Sequence, residues 1–364
     1  MRKKIFLILA AIFTIVIVIG VLQTSKLYPI LFQLLFKREI QLKKANTNTN
    51  ILLLGTGGGK HEGPNLTDTI IFVSINEENN KVTPISIPRD LWIPELSAKV
   101  NMAYAVGENK RKGGGIVLVK AVIAKILSQP INYVVRIDFD GFVKAVNVLG
   151  GIDVDVKNSF EDLEYPIIGK ENDPCGHKDE DLKTLATASS QLEVFPCRYD
   201  HVRFEGGIQL MSGVTALQFV RSRHAKGTEG NDFARSKRQE QVIKAFKDKI
   251  FSLNVLLNPA KVIGLYSVLQ ESIDTNIKEE EFDDFVRLAQ KLKNAQIQST
   301  VLDYGDKEKN RAGFLVNPPI SDDFGRQWVL IPRVGNGDFS EIQKYVECEI
   351  FVGNCPIFKI SPSK

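Results

Sequence analysis

The stretch ILLLGTGGGKHEGPNLTDTIIFVSINEENNKVTPISIPRD spans residues 51–90 and decides the fold. Its first four residues are an apolar run stopped by Gly55, the signature of a buried strand. TIIFVSI (69–75) and KVTPISIP (81–88) read as two more strands, with a turn at NEENN between them. Downstream, IVLVKAVIAKIL (116–127) is apolar at helical spacing, and INYVVRIDF (131–139) reads as a strand. GFVKAVNVLGG (141–151) reads as a helix ended by its glycines, and IDVDV (152–156) as an alternating strand. Strands mixed with helices imply an α/β or α+β layered domain. Further helical patterns cover 212–220, about 233–251, 259–271 and 279–294, ahead of a short strand-rich tail. Residues 157–207 are polar and poor in pattern, which suggests an insertion or a long surface loop.

The chain of 364 residues is long enough to bury a full core. A net charge of +4 is small for that length and speaks against a generic nucleic-acid binder. At the N-terminus, Arg2, Lys3 and Lys4 precede an uncharged apolar run from Ile5 to Leu22. As a helix that run spans about 27 Å, close to one hydrocarbon core. Positive charge ahead of it keeps the N-terminus cytoplasmic and sends the remainder outside. No A-x-A cleavage site follows, so the reading is an uncleaved signal-anchor. Cys175, Cys197, Cys348 and Cys355 suit that compartment as two local disulfides, 175–197 and 348–355, with free thiols as the alternative.

The basic stretch VRSRHAKGTEGNDFARSKRQEQV (220–242) carries the chemistry. At 100° per residue, Val242, Ile243, Phe246 and Ile250 form one apolar arc on the helix after Asp232. Arg235 and Gln239 fall inside that arc, Arg238 lies at its edge, and Lys237, Lys244 and Lys247 point away. An inward guanidinium must meet an anion, and a helix N-terminus favours one there. Arg221 and Arg223, two residues apart, face one side of an extended segment. Arginine forks suit phosphate or diphosphate; internal pairing with Asp232, Glu229 or Asp90 is the plainer alternative. Asp68, in NLTDTI, stands at the mouth of a strand, where a carboxylate can hold Mg²⁺ beside a diphosphate. Pro88, Arg89 and Asp90 end another strand, followed by Lys99 and Asn101. GTGGGK lacks the G-x-x-x-x-G-K-[ST] pattern, so a nucleotide P-loop is not indicated.

Taken in order, NILLLG, TDT, SIPRD, KVNMAYAVG, GGIDVDV, ALQFVRSR and NDFARSKRQEQV behind one apolar N-terminal run resemble the LytR-CpsA-Psr family. The likeness is close over residues 50–251 and looser toward 345. It implies an αβα sandwich with a central mixed sheet and an apolar lipid cavity, behind one transmembrane helix. The implied organisation is 1–4 cytoplasmic, 5–22 membrane-spanning, 23–49 linker, 50–251 catalytic domain with 157–207 inserted, and 252–364 its continuation. The implied activity is extracytoplasmic transfer of a glycopolymer from a polyprenyl-diphosphate carrier to peptidoglycan or another wall acceptor, with Mg²⁺ and with diphosphate hydrolysis as a side activity.

Carried over by motif, Asp68 is the metal ligand, and Arg89, Arg221, Arg223, Arg235, Arg238 and Gln239 bind the diphosphate. Asp90 and Asp232 orient arginines, Asp90 is also the candidate base, and Lys99 approaches the phosphate from the other side. The lipid tail is expected among side chains such as those of 116–127 and 141–149. Two positions depart from the family pattern. Gly57 stands where many members carry a second metal-binding Asp, and Leu66 where many carry Arg; His61 or Glu62 are the candidate substitutes. These departures support an alternative, a non-catalytic envelope protein that binds anionic glycopolymer or polyprenyl-phosphate lipid.

Overall fold

The computed structural model describes residues 39–59, 63–185, 190–230, 232–250, 252–256, 258–292, 295–305, 312–353 and 355–357. No described helix is long and apolar enough to cross a membrane, and the expected anchor, residues 5–22, lies outside the described residues.

The three strands read from residues 51–90 form the middle of a mixed sheet. They are β1 (Asn48–Thr56), β2 (Thr67–Asn76) and β3 (Lys81–Ser86), paired antiparallel in sequence order. On the other side of β1 lies β4 (Tyr133–Asp138), parallel to it and reached through two helices, α1 (Met102–Lys110) and α2 (Gly114–Leu127). Further along the chain come α3 (Phe139–Leu149), β5 (Ile152–Val156), β6 (Phe160–Pro166), β7 (Tyr199–Phe204) and β8 (Gly207–Met211). They are followed by α4 (Gly213–Arg221), α5 (Asp232–Ile250) and α6 (Pro259–Ser272). Edge strands β9 (Ile273–Thr275), β10 (Gln296–Ile297) and β11 (Thr300–Val301) complete the sheet, with α7 (Phe282–Lys291) between β9 and β10 and α8 (Ser340–Phe351) near the end. The sheet order is β9-β4-β1-β2-β3-β10, and β11 also pairs with β3.

Strand alternation divides this sheet into two unlike faces. Leu52, Leu54, Ile70, Phe72 and Ile85 point to one side and pack with α1, α2 and α8 into the main core. Ile51, Leu53, Ile71, Val73 and Pro84 point to the other side and border open space beneath α5 and α7. The apolar helix 116–127 is thus committed to the filled face, and the expectation that it lines a lipid cavity is corrected: Val119, Ile123, Ile126 and Leu127 are spent on core packing. Residues 141–149 likewise serve a second core, through Val146 and Leu149.

The segment 157–207 is also more than a surface loop. β6 and β7 pair antiparallel, and Phe160, Tyr165, Val202 and Phe204 enter the second core with β5, α4 and α5. Both expected disulfides are present, Cys175–Cys197 and Cys348–Cys355. Asp173 with Cys175 and Cys197 is therefore no metal site, since the sulfurs are bonded to each other.

Candidate active site

The functional side chains collect at one edge of the sheet, where β1 ends, β2 begins and β3 ends. The antiparallel register of β1, β2 and β3 dictates this, because Thr56 pairs with Thr67 and Ile71 with Ser86. At that edge Arg89 donates a hydrogen bond to Asp68 and lies 3.5 Å from Asp90 Oδ2. Lys99 Nζ donates to Asp90 Oδ1 at 2.7 Å. The two-residue ladder of Trp92–Ile93 with Ala98–Lys99 holds that lysine in place. Asp68, Arg89, Asp90 and Lys99 thus form a chain of alternating charge. Lys99 is paired with Asp90 here, and Asp90 stands between Lys99 and Arg89, where it can orient the arginine.

A small polar pocket opens beside this chain. Asp68, Thr69, Pro88, Arg235, Ser236 and Gln239 line it, together with Asp303 and Tyr304 from the segment after β11. Gln239 Nε2 donates to Thr69 Oγ1 at 3.1 Å and fastens α5 to the start of β2. The inward placement of Arg235 and Gln239 read from helical phase is therefore observed. Asp303, 7 % exposed, had no sequence signal beyond following a short apolar stretch.

Arg238 is a correction. It is 2 % exposed and points away from the pocket. Its Nε donates to the Phe219 carbonyl at 3.0 Å, Nη2 to the Ser222 carbonyl at 2.6 Å, and Nη1 to Glu229 at 2.8 Å through the carbonyl and 3.0 Å through Oε2. Its guanidinium also stacks 4.6 Å from the Phe160 ring centre. Burial pulls its pKa below the usual arginine value, and the Glu229 charge opposes that pull. A guanidinium so satisfied is structural: it pins the 222–229 segment to α5.

Arg221 ends α4 and Arg223 follows it, so the two do not share one extended segment as expected, and neither lines this pocket. Arg221 stacks 4.5 Å from the Phe139 ring centre and donates to Tyr165 Oη at 3.1 Å. Burial raises the Tyr165 pKa, which keeps the phenol protonated, while the Arg221 charge opposes that shift. The backbone amides of Arg223 and His224 donate to the fully buried Asp162, at 3.0 and 3.1 Å. Tyr165 and Asp162, both from the supposed loop 157–207, therefore position two of the arginines. Asp232 opens α5, and its side chain lies outside the described residues, as do His61 and Glu62.

The glycine loop after β1 is tight. Gly58 has φ +66°, and a Cβ there would lie 2.5 Å from Asp138 Cβ. Asp138 ends β4 opposite Thr56 and caps α3 by accepting from the Gly141 amide at 2.8 Å. As for metal, Asp68 uses one carboxylate oxygen for Arg89, and Gly57 brings no ligand atom. A hard cation that keeps waters and takes phosphate oxygens fits one such carboxylate; an all-protein cage does not.

Behind the polar pocket lies an apolar cavity of about 350 Å³ between the open sheet face and α5 and α7. Ser86, Ser236 and Val301 line both spaces, so the two are adjacent. The volume falls in the usual range for small-ligand sites.

The sequence profile of the LytR_cpsA_psr family matches residues 32–321. Among curated relatives, a polyisoprenyl-teichoic acid–peptidoglycan teichoic acid transferase TagU of Bacillus anthracis is 28 % identical over 300 residues, covering 78 % of this chain and 82 % of the relative. The corresponding TagV transferase of Bacillus subtilis is 29 % identical over 218 residues, covering 58 % and 45 %. Among solved structures, B. subtilis TagV aligns with a TM-score of 0.53 and 22 % identity over 84 % of this chain and 98 % of that one. B. subtilis TagT aligns with a TM-score of 0.51 and 20 % identity over 87 % and 96 %. At such identities the likeness supports the mixed α/β fold.

Proposed function

The chain belongs to the LytR_cpsA_psr family, and from that premise we propose that it is an extracytoplasmic phosphotransferase, moving a glycopolymer from a polyprenyl-diphosphate carrier to peptidoglycan or another wall acceptor. The observation that carries the reading is that a polar pocket holding Asp68, Arg235 and Gln239 adjoins an apolar cavity across the shared residues Ser86, Ser236 and Val301. A diphosphate joined to an isoprenoid tail has that same two-part character. The transferase names of the curated relatives support the same reaction class.

In the proposed reaction an acceptor hydroxyl oxygen forms a bond to the polymer-bearing phosphorus. The bond from that phosphorus to the bridging oxygen breaks, polyprenyl monophosphate leaves with the released charge, and the acceptor's hydroxyl proton passes to that leaving phosphate or to water. Arg235 and Gln239 hold the diphosphate at the first turns of α5, whose helix N-terminus favours an anion. Arg89, oriented by Asp90 and Lys99, stabilises the charge that builds on the transferring group, and Arg221 and Arg223 would add positive charge when substrate binds. A loose phosphoryl transition state needs little base assistance, in keeping with the engaged Asp90. Mg²⁺ would be held by the remaining oxygen of Asp68 together with substrate phosphate oxygens, and it would supply charge neutralisation there. The apolar run 5–22 would serve as the membrane anchor, with the N-terminus cytoplasmic.

The test uses the full chain, a polyprenyl-diphosphate saccharide, Mg²⁺ and peptidoglycan, and follows release of polyprenyl monophosphate. Magnesium-dependent release with saccharide joined to the acceptor is the expected result. Tight binding without release, across several saccharides and acceptors, would replace transfer with the scaffold reading that Gly57 favours.

A further inference from the structure

The apolar cavity opens along one side of α5. Lys237, Lys244 and Lys247 line that side, together with Ile243. Helical phase assigns these lysines to a solvated face, yet they line one side of an apolar chamber. Ile243 is 44 % exposed and Ile297, on the facing β10, is 38 % exposed, so apolar side chains stand bare between the cations. Glu240 on this face accepts from Ser299 Oγ at 2.5 Å, and Asp248 pairs with Lys247 at 3.7 Å through a carboxylate that is itself solvent-exposed.

The chain also enters the described fold at this chamber. Buried Leu42, with Ile40 against it, packs in one cluster with Ile51, Ile75 and Leu292, and those three also line the cavity. The sequence ahead of residue 39 contains the uncharged run 5–22 and the apolar segment LYPILFQLLF (27–36). A chain that holds its first segment in a bilayer brings this side of the fold to the membrane.

We propose that the lysine-lined side of the cavity, with exposed Ile243 and Ile297, is a membrane-docking surface for the anionic face of a phospholipid bilayer. Lysine stems lie along apolar surface while their ammonium groups reach the lipid phosphates. Ile243 and Ile297 enter the boundary between headgroups and acyl chains. Each lysine near an anionic leaflet changes occupancy of the docked state by about fivefold. Docking this way lets an isoprenoid tail pass from bilayer to cavity without crossing water. The inference needs the cavity and the tether, not the phosphotransfer chemistry.

The experiment places a spin label at Ile243→Cys or Val117→Cys in the full chain, reconstituted in vesicles without polyprenyl lipid. Val117 is 55 % exposed on α2, on the filled side of the sheet, and serves as the water-facing control. Collision with oxygen is compared with collision with a water-soluble nickel chelate, in zwitterionic vesicles and in vesicles containing phosphatidylglycerol. The expected result is a lipid-immersed label at 243 and a water-exposed one at 117 in anionic vesicles. Combining Lys237→Glu, Lys244→Glu and Lys247→Glu should then shrink the docked population by more than about a hundredfold, the effect of neutralising the three lysines alone. A label at 243 as wet as that at 117, or immersion indifferent to charge reversal, would overturn the proposal. Because no carrier lipid is present, either failure leaves the transfer reading standing.

Discussion

The two faces of the central sheet are built from the same three strands and meet opposite fates. On one face Leu52, Phe72 and Ile85 are fully buried beneath α1, α2 and α8. On the other, Leu53, Val73 and Pro84, each next to one of those residues in sequence, border a cavity of about 350 Å³. The residue types are alike; the difference is what covers them. α5 spans the open face with arginine, glutamine and lysine where a core helix would carry leucine, so it covers the strands without filling the space. Stability and function are thereby separated by a single residue step along each strand.

Substitutions on the two faces should therefore fail in different ways. The largest effect is expected at the open edge, where Arg89→Ala removes transition-state charge stabilisation. Steady-state release of polyprenyl phosphate should fall by about 10³-fold, with the thermal melting temperature nearly unchanged. Arg238→Gln should invert that pattern: losing buried bonds to Phe219, Ser222 and Glu229 should cost about 3–4 kcal/mol of stability by denaturant melts, and the molecules that stay folded should keep their turnover. Leu52→Ala, on the filled face, should cost about 3 kcal/mol by the same melts. Its neighbour Leu53→Ala should cost only about 1 kcal/mol, because the side chain already faces empty space, but it should weaken binding of a long-tailed carrier. Equal costs for Leu52→Ala and Leu53→Ala would erase the distinction between the faces.

Much of this was legible in the sequence. The strands of 51–90 and the helices at 116–127, 141–151 and 233–251 are found where alternation and helical spacing place them, because each is strongly periodic. Arg235 and Gln239 are found on an inner face of α5 for the same reason. The failures on α5 share a physical origin, in that this helix has two inner faces and a helical wheel assumes one. Arg238, Val242 and Ala245 turn toward the second core, while Ile243 and Lys247 turn toward the cavity. One apolar arc therefore hid an arginine that is structural and lysines that are not simply solvated. Residues 157–207 escaped because the β6–β7 pairing shifts register between Asp162 and Tyr165, which breaks the alternation that marks a strand. The helix 116–127 is apolar around most of its circumference, a pattern shared by cavity walls and buried helices, and only the packing of α8 with it and the sheet distinguishes the two.

The central claim is that polar pocket and cavity act as one site for a lipid-linked diphosphate. It is tested most directly by comparing a long polyprenyl carrier with a short isoprenyl carrier of the same saccharide diphosphate, in the full chain and in Leu53→Trp. The long carrier should be preferred by at least about tenfold in kcat/KM through tail burial. Filling the cavity with Leu53→Trp should abolish that preference and leave the short-carrier rate intact. A preference that survives Leu53→Trp unchanged would contradict the account.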